Sequence, residues 1–98
     1  MQVLLDLNNP VFQEQLFGLE QREALAVFAT LRKIRRLQWD DLYRDKGLRW
    51  EAIQSRRGPR SERIYSLRVT QRVRAVAYRD GAFLRLLALH VDHDSAYS

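Results

Sequence analysis

The hydrophobic positions change period near the middle of the chain. Before Gly47 they recur at threes and fours, the spacing of helices; after it they alternate, the spacing of strands. Gln2 to Leu7 is short, apolar and extended in pattern, and reads as a strand. Asn9-Pro10 then opens a helix: the Asn side chain caps free N–H groups, and Pro at the first helical position forfeits no hydrogen bond. That helix carries Val11, Phe12 and Leu16 and is expected to end near Gly18. A second, longer helix is expected from about Glu20 to Leu37. Leu25, Phe28, Leu31 and Ile34 recur along it at spacing three, with Ala24 and Val27 widening the stripe, which predicts one buried side. Its acidic start (Glu20, Glu23) and basic end (Arg32, Lys33, Arg35, Arg36) complement the helix dipole. Trp39 to Lys46 adds a short helical stretch stopped by Gly47.

From Leu48 onward four segments read as strands: Leu48 to Gln54, Ile64 to Val69, Val73 to Arg79 and Phe83 to Val91. Asp80-Gly81 signals a tight turn between the last two. Arg56 to Ser61 reads as a loop around Gly58-Pro59. The order predicts an α+β fold, with an N-terminal strand and a helical hairpin packed on an antiparallel sheet of about four to five strands. A three-residue loop Thr70-Gln71-Arg72 places Arg68 across from Arg74 and Leu67 across from Ala75, so both arginines face away from the helices. A two-residue loop would turn one of them over.

At 98 residues the sequence has room for one hydrophobic core, so one domain spanning 1–98 is expected. Its 46% hydrophobic and 30% charged residues are ordinary globular usage. No apolar stretch is long enough to cross a bilayer, and MQVLLDLNNP lacks the basic start and cleavage site of an export signal. The absence of cysteine removes disulfides, thiolate zinc sites and thiol catalysis. A cytoplasmic location is the simplest expectation. Charge alters the picture more. Arginines outnumber lysines 15 to 2 in a chain of net charge +5. From Arg44 to Arg79 eleven basic residues face only Asp45, Glu51 and Glu62, a local net of +8. Such concentration fits a polyanionic partner or a solvated basic surface. Arginine rather than lysine favours phosphate, because its planar fork binds two oxygens at once.

Three segments resemble one family. GLRWEAI (Gly47 to Ile53), IYSLRVTQRVRAVAY (Ile64 to Tyr78) and LHVDHDSAY (Leu89 to Tyr97) are similar, in order and spacing, to motifs of the RelE/ParE toxin superfamily. The resemblance covers roughly Gly47 to Tyr97, while the helical half agrees in layout only. It implies a RelE-like fold and the toxin of a type II toxin–antitoxin pair. RelE-like members cut mRNA in the ribosomal A site; ParE-like members share the fold but inhibit DNA gyrase. The implied partners are a cognate antitoxin, the ribosome and mRNA, with no cofactor, metal or membrane.

Cleavage of this type activates a 2′-OH to attack the adjacent phosphate. It needs a base, positive charge on the phosphate, and an acid for the leaving 5′ oxygen. By motif position the resemblance implies Glu51, Arg74 and His93 in these roles, with Tyr97 stacking on a base or donating a proton. Arg68 joins Arg74 on phosphate, and Arg56, Arg57, Arg60 and Arg72 are candidates for further backbone contacts. Each has a plainer reading. Arg74 also fits a solvated strand position, and Glu51 a salt bridge to a neighbouring arginine that would weaken it as a base. Arg56, Arg57 and Arg60 fit a solvated loop. Trp39, Tyr43, Trp50 and Phe83 fit core packing better than base stacking. His90, Asp92, His93 and Asp94 invite a metal reading, but alternation puts His90 and Asp92 on one face and His93 on the other. Asp92 and Asp94 depart from the family's basic tail and would repel RNA, which favours a third alternative, a non-catalytic regulatory or interaction domain of the same fold.

Overall fold

The computed structural model describes residues 1–92. Three helices and five strands follow one another as β1 (Leu4–Asp6), α1 (Pro10–Phe17), α2 (Gln21–Arg35), α3 (Trp39–Arg44), β2 (Glu51–Arg57), β3 (Arg63–Arg68), β4 (Val73–Asp80) and β5 (Phe83–Val91). The fold is α+β, as the change of period implies. The sheet order is β1-β5-β4-β3-β2. It is mixed rather than wholly antiparallel, because β1 joins β5 in parallel through Leu4↔Phe83, Leu5↔Leu84 and Asp6↔Arg85. Several boundaries differ from those the sequence predicts. β2 runs on to Arg57, so the expected loop at Arg56 begins only at Gly58, and β1 is shorter at both ends.

Local chemistry sets the boundaries. The Asn9 side chain accepts from Val11 N–H at 2.8 Å, with Pro10 at the start of α1 and Gly18 at its cap. The β4–β5 hairpin has a two-residue loop, Gly81-Ala82, with Gly81 at φ 61°. A positive φ at the first central position is the II′ geometry that glycine supplies without steric cost.

The helices cover one side of the sheet. Phe12, Val27, Leu31, Ile34, Trp39 and Leu42 pack there against Leu67, Val69, Ala75, Ala77, Leu84, Leu86 and Leu89. Side-chain bonds tie the layers together: Thr30 donates to the Val69 carbonyl, Trp39 Nε1 to the Ala82 carbonyl, and Leu89 N–H to Gln15 Oε1. The predicted stripe of α2 is corrected at two positions. Val27, Leu31 and Ile34 are buried, whereas Leu25 and Phe28 are exposed. Spacing three falls short of a 3.6-residue turn by about 60° per step, so four such residues wind halfway round a helix and cannot all share one side.

Candidate nucleic-acid interface

Three strands converge on the uncovered side of the sheet. The β3–β4 register pairs Arg68 with Arg74, and β4–β5 pairs Arg74 with His90. Cross-strand partners share a face, so these three basic groups form one row. Their chain neighbours Leu67, Ala75 and Leu89 point the other way, into the core. The adjacent row holds Glu51, Ser66, Val76 and Ala88. Two residues of strand, roughly 7 Å, separate the rows.

The turn before β4 fixes this register. Thr70 Oγ1 accepts from Arg72 N–H at 3.2 Å and Val73 N–H at 3.0 Å, and donates to Glu23 Oε1 on α2. Such a hydroxyl turn closes the three-residue loop that the sequence pattern anticipates, and Arg68 stands opposite Arg74 as expected.

His90 is a member of the row that sequence reasoning misses. A regular hairpin counted back from Gly81-Ala82 would set Leu89 opposite Arg74. An irregularity between Val76 and Ala77 gives β5 one extra residue there and advances His90 into the row. The signal is present in the sequence: inward-facing residues fall at Leu84 and Leu86, then at Leu89 and Val91, a slip of phase by one.

The electrostatics of the row are uncompensated from within. Like charges directly opposite on a sheet are destabilising. Among the described residues neither Arg68 nor Arg74 forms an ion pair. Arg68 Nε is buried and has no hydrogen-bond partner among them. A desolvated guanidinium N–H without an acceptor is costly. Two adjacent arginines with no carboxylate partner suit phosphate, whose oxygens accept charge-assisted hydrogen bonds from guanidinium groups.

The remaining candidates are dispersed. Glu51 is 57% exposed at its side chain and pairs with Arg49 at 3.9 Å, the plainer of its two readings. Arg72 sits on the turn beside Glu20 and Glu23, away from the row. Arg56 and Arg57 are exposed on the far half of β2, where Arg57 opposes Arg63. Arg60 N–H donates to Glu62 Oε1 within the β2–β3 turn. His93 and Tyr97 lie outside the described residues, which hold no group of three or more His, Asp or Glu placed to bind a metal.

The aromatic candidates are committed elsewhere. Trp50 stacks on Tyr65 with centroids 4.2 Å apart, and Trp39 is buried against Tyr43 and Trp50. Arg79 covers Trp39 at 4.4 Å and donates to the Tyr43 hydroxyl. Phe83 remains partly exposed beneath Arg85. Arg85 binds Asp80 through Nε and Asp6 through Nη1. The backbone N–H of Asn8 and then Arg85 hold the Asp6 carboxyl below its ordinary value, and the two carboxylates, Asp6 first, raise that of Arg85.

No family model matches the sequence, and no curated protein matches it either. A solved structure is similar: a copper-bound mutant of a toxin from Helicobacter pylori, 23% identical over 97% of this chain and 98% of that one, with a TM-score of 0.49. A likeness of that degree assigns neither family nor activity, and the copper is a feature of that protein.

Proposed function

We propose that this protein is the toxin of a type II toxin–antitoxin pair and acts as a ribosome-dependent mRNA endonuclease. The observation that carries the reading is the Arg68–Arg74–His90 row, three basic groups side by side on the sheet face that the helices leave uncovered, with neither arginine in an ion pair among the described residues. The motif resemblance supports it, since Arg74 occupies the phosphate position of that pattern.

In this mechanism Arg74 and Arg68 hold the scissile phosphate. Glu51, one row away, takes the proton of the 2′-OH as its oxygen attacks phosphorus. The P–O5′ bond breaks, and the 5′ oxygen receives a proton from His93, leaving a 2′,3′-cyclic phosphate and a 5′-OH. Tyr97 stacks on the neighbouring base. The two arginines are aimed at the charge that grows on the equatorial oxygens, where fixed cations lower the barrier most. A cognate antitoxin, acidic and flexible, restrains the activity.

The exposure of Glu51 and its pairing with Arg49 favour a second reading, a nucleic-acid-binding or interaction domain without cleavage. One experiment separates them. Purified protein is added to a cell-free translation reaction and mRNA 5′ ends are mapped, beside Arg74→Ala. New ends at A-site codons, absent in the variant and without ribosomes, are expected. Intact mRNA with unimpaired translation sinks the nuclease; a gyrase supercoiling assay then distinguishes a ParE-like inhibitor from a domain that binds without cutting.

A further inference from the structure

The β2–β3 turn meets the far end of the sheet side that the helices leave open. Asp6, Arg85 and Tyr78 are cross-strand partners there, on β1, β5 and β4, and Ala77 beside Tyr78 points the other way, into the core. Tyr78 stands four residues along β4 from Arg74, roughly 13 Å away on the same side. Pro59, Arg60 and Glu62 of the turn face this row and Asp80 across a hollow of about 410 Å³. The turn is shaped around one carboxylate. Glu62 Oε1 accepts from Arg60 N–H at 2.9 Å, and the Glu62 carbonyl accepts from Gly58 N–H. A Cβ at position 58 would run into the Glu62 carboxyl, so glycine makes room for it. Arg85 is taken up by Asp80 and Asp6. Glu62 Oε2, the Arg60 guanidinium and the Tyr78 hydroxyl have no hydrogen-bond partner among the described residues.

Three carboxylates and two guanidiniums line this hollow, unlike the wholly basic row. A phosphate would meet the carboxylates and a cation the guanidiniums. A neutral planar ring with donors on one edge and acceptors on the next meets neither objection. We propose that the hollow binds a guanine base. The Arg60 fork matches O6 and N7, the commonest specific pairing of arginine with a base. The open oxygens of Glu62 and Asp80 match N1–H and the N2 amino group, and Tyr78 offers its ring and hydroxyl. Adenine turns an amino group toward Arg60 and has no N2 donor for the carboxylates; pyrimidines have no N7. The proposal deepens the RNA reading of the same sheet side and rests on it only for the strand that brings the base. A free guanine nucleoside presents the same edges.

The probe is a fluorescein-labelled RNA of about seven nucleotides, uridine except for one central guanine, titrated by fluorescence anisotropy beside its adenine and inosine counterparts. The guanine strand should bind about tenfold tighter than the adenine strand, as one bidentate base contact provides. The inosine strand, which lacks the N2 amino group, should fall between them. Arg74→Ala should weaken every strand alike and keep their ratio. Glu62→Gln removes a negative charge, so charge alone would tighten every strand; the expected result is instead loss of the guanine advantage at an unchanged thermal midpoint. Gly58→Ala, which displaces the Glu62 carboxyl, should act in the same direction. Competition by unlabelled guanosine separates the two sources of the base. Weak displacement fits a base carried on a strand, whereas guanosine binding as tightly as the guanine strand assigns the hollow to a free nucleoside. Equal affinity for guanine and adenine strands, with Arg74→Ala still weakening both, overturns the guanine site and leaves the reading of the row intact. A guanine advantage that survives Glu62→Gln overturns it too. If neither a strand nor guanosine binds, both readings fall.

Discussion

Arg74 is held between two other basic groups, and that position has opposite consequences for binding and for stability. Arg74→Ala should weaken affinity for a short single-stranded RNA by about 1.5–3 kcal/mol, the worth of charge-assisted hydrogen bonds. It should also lower the salt slope by about 0.7 for each phosphate that the variant no longer neutralises. Fluorescence anisotropy across a salt series measures both. The same change removes a like charge opposite Arg68 and should leave the thermal midpoint equal or higher. A variant that binds RNA normally and melts early would make Arg74 a structural residue. The pairing of Arg68 with Arg74 is legible because apolar alternation fixes which side each strand buries, and the three-residue loop then fixes the register. His90 escapes as their neighbour because one extra residue in β5 reverses every later side chain of that strand. Only the slip from Leu84 and Leu86 to Leu89 and Val91 records it. Glu51 reaches the same face, but sequence does not say how exposed a carboxylate will be or which arginine takes it.

Among the elements, α1 is the most fully written in the sequence. Its cap is a single oxygen of Asn9 on Val11 N–H, so Asn9→Ala should cost about 1 kcal/mol in urea unfolding. Phe12, wholly buried, is its anchor; Phe12→Ala should cost about 3–5 kcal/mol by the same measurement. α2 is legible in extent and in its charge gradient but only half legible in orientation. A spacing of three winds around the helix, and the helix shows the sheet the residues at Val27, Leu31 and Ile34, whose separations of four and three stay on one side. Alternation starts β2 three residues early because Leu48 and Trp50 are apolar for the core's sake while lying before the paired segment. Burial and strand pairing are separate properties, and hydrophobic alternation reports the first.

At the scale of the whole molecule, two carboxylates join parts of the chain that are far apart in sequence. Asp6 links β1 to β5 through Arg85, and Asp45, after α3, binds Lys33 of α2 at 2.8 Å. The Asn8 N–H and Arg85 depress Asp6, and the bond from Lys33 leads those depressing Asp45, from an ordinary value of 3.8 in each case. A group depressed on folding stabilises the native state above its unfolded value and ceases to do so as pH falls through its folded value. The urea midpoint should therefore decline as pH drops below about 4, and Asp6→Asn should flatten that decline. A midpoint unchanged down to the folded values would show that these bonds do not couple to folding. The mixed sheet is the global feature least visible in advance, because parallel pairing of β1 depends on contact between residues 4–6 and 83–85, and local pattern cannot encode it. That closure has a consequence during synthesis. The first strand has no partner in the sheet until β5 has been made and released from the ribosome, so it waits unpaired while everything between the two is synthesised. The basic row waits too, since its third member, His90, is also on that strand. A nascent chain is thus denied both its finished sheet and its finished basic surface until elongation has passed β5, which ties the appearance of any activity at that row to completion of the fold.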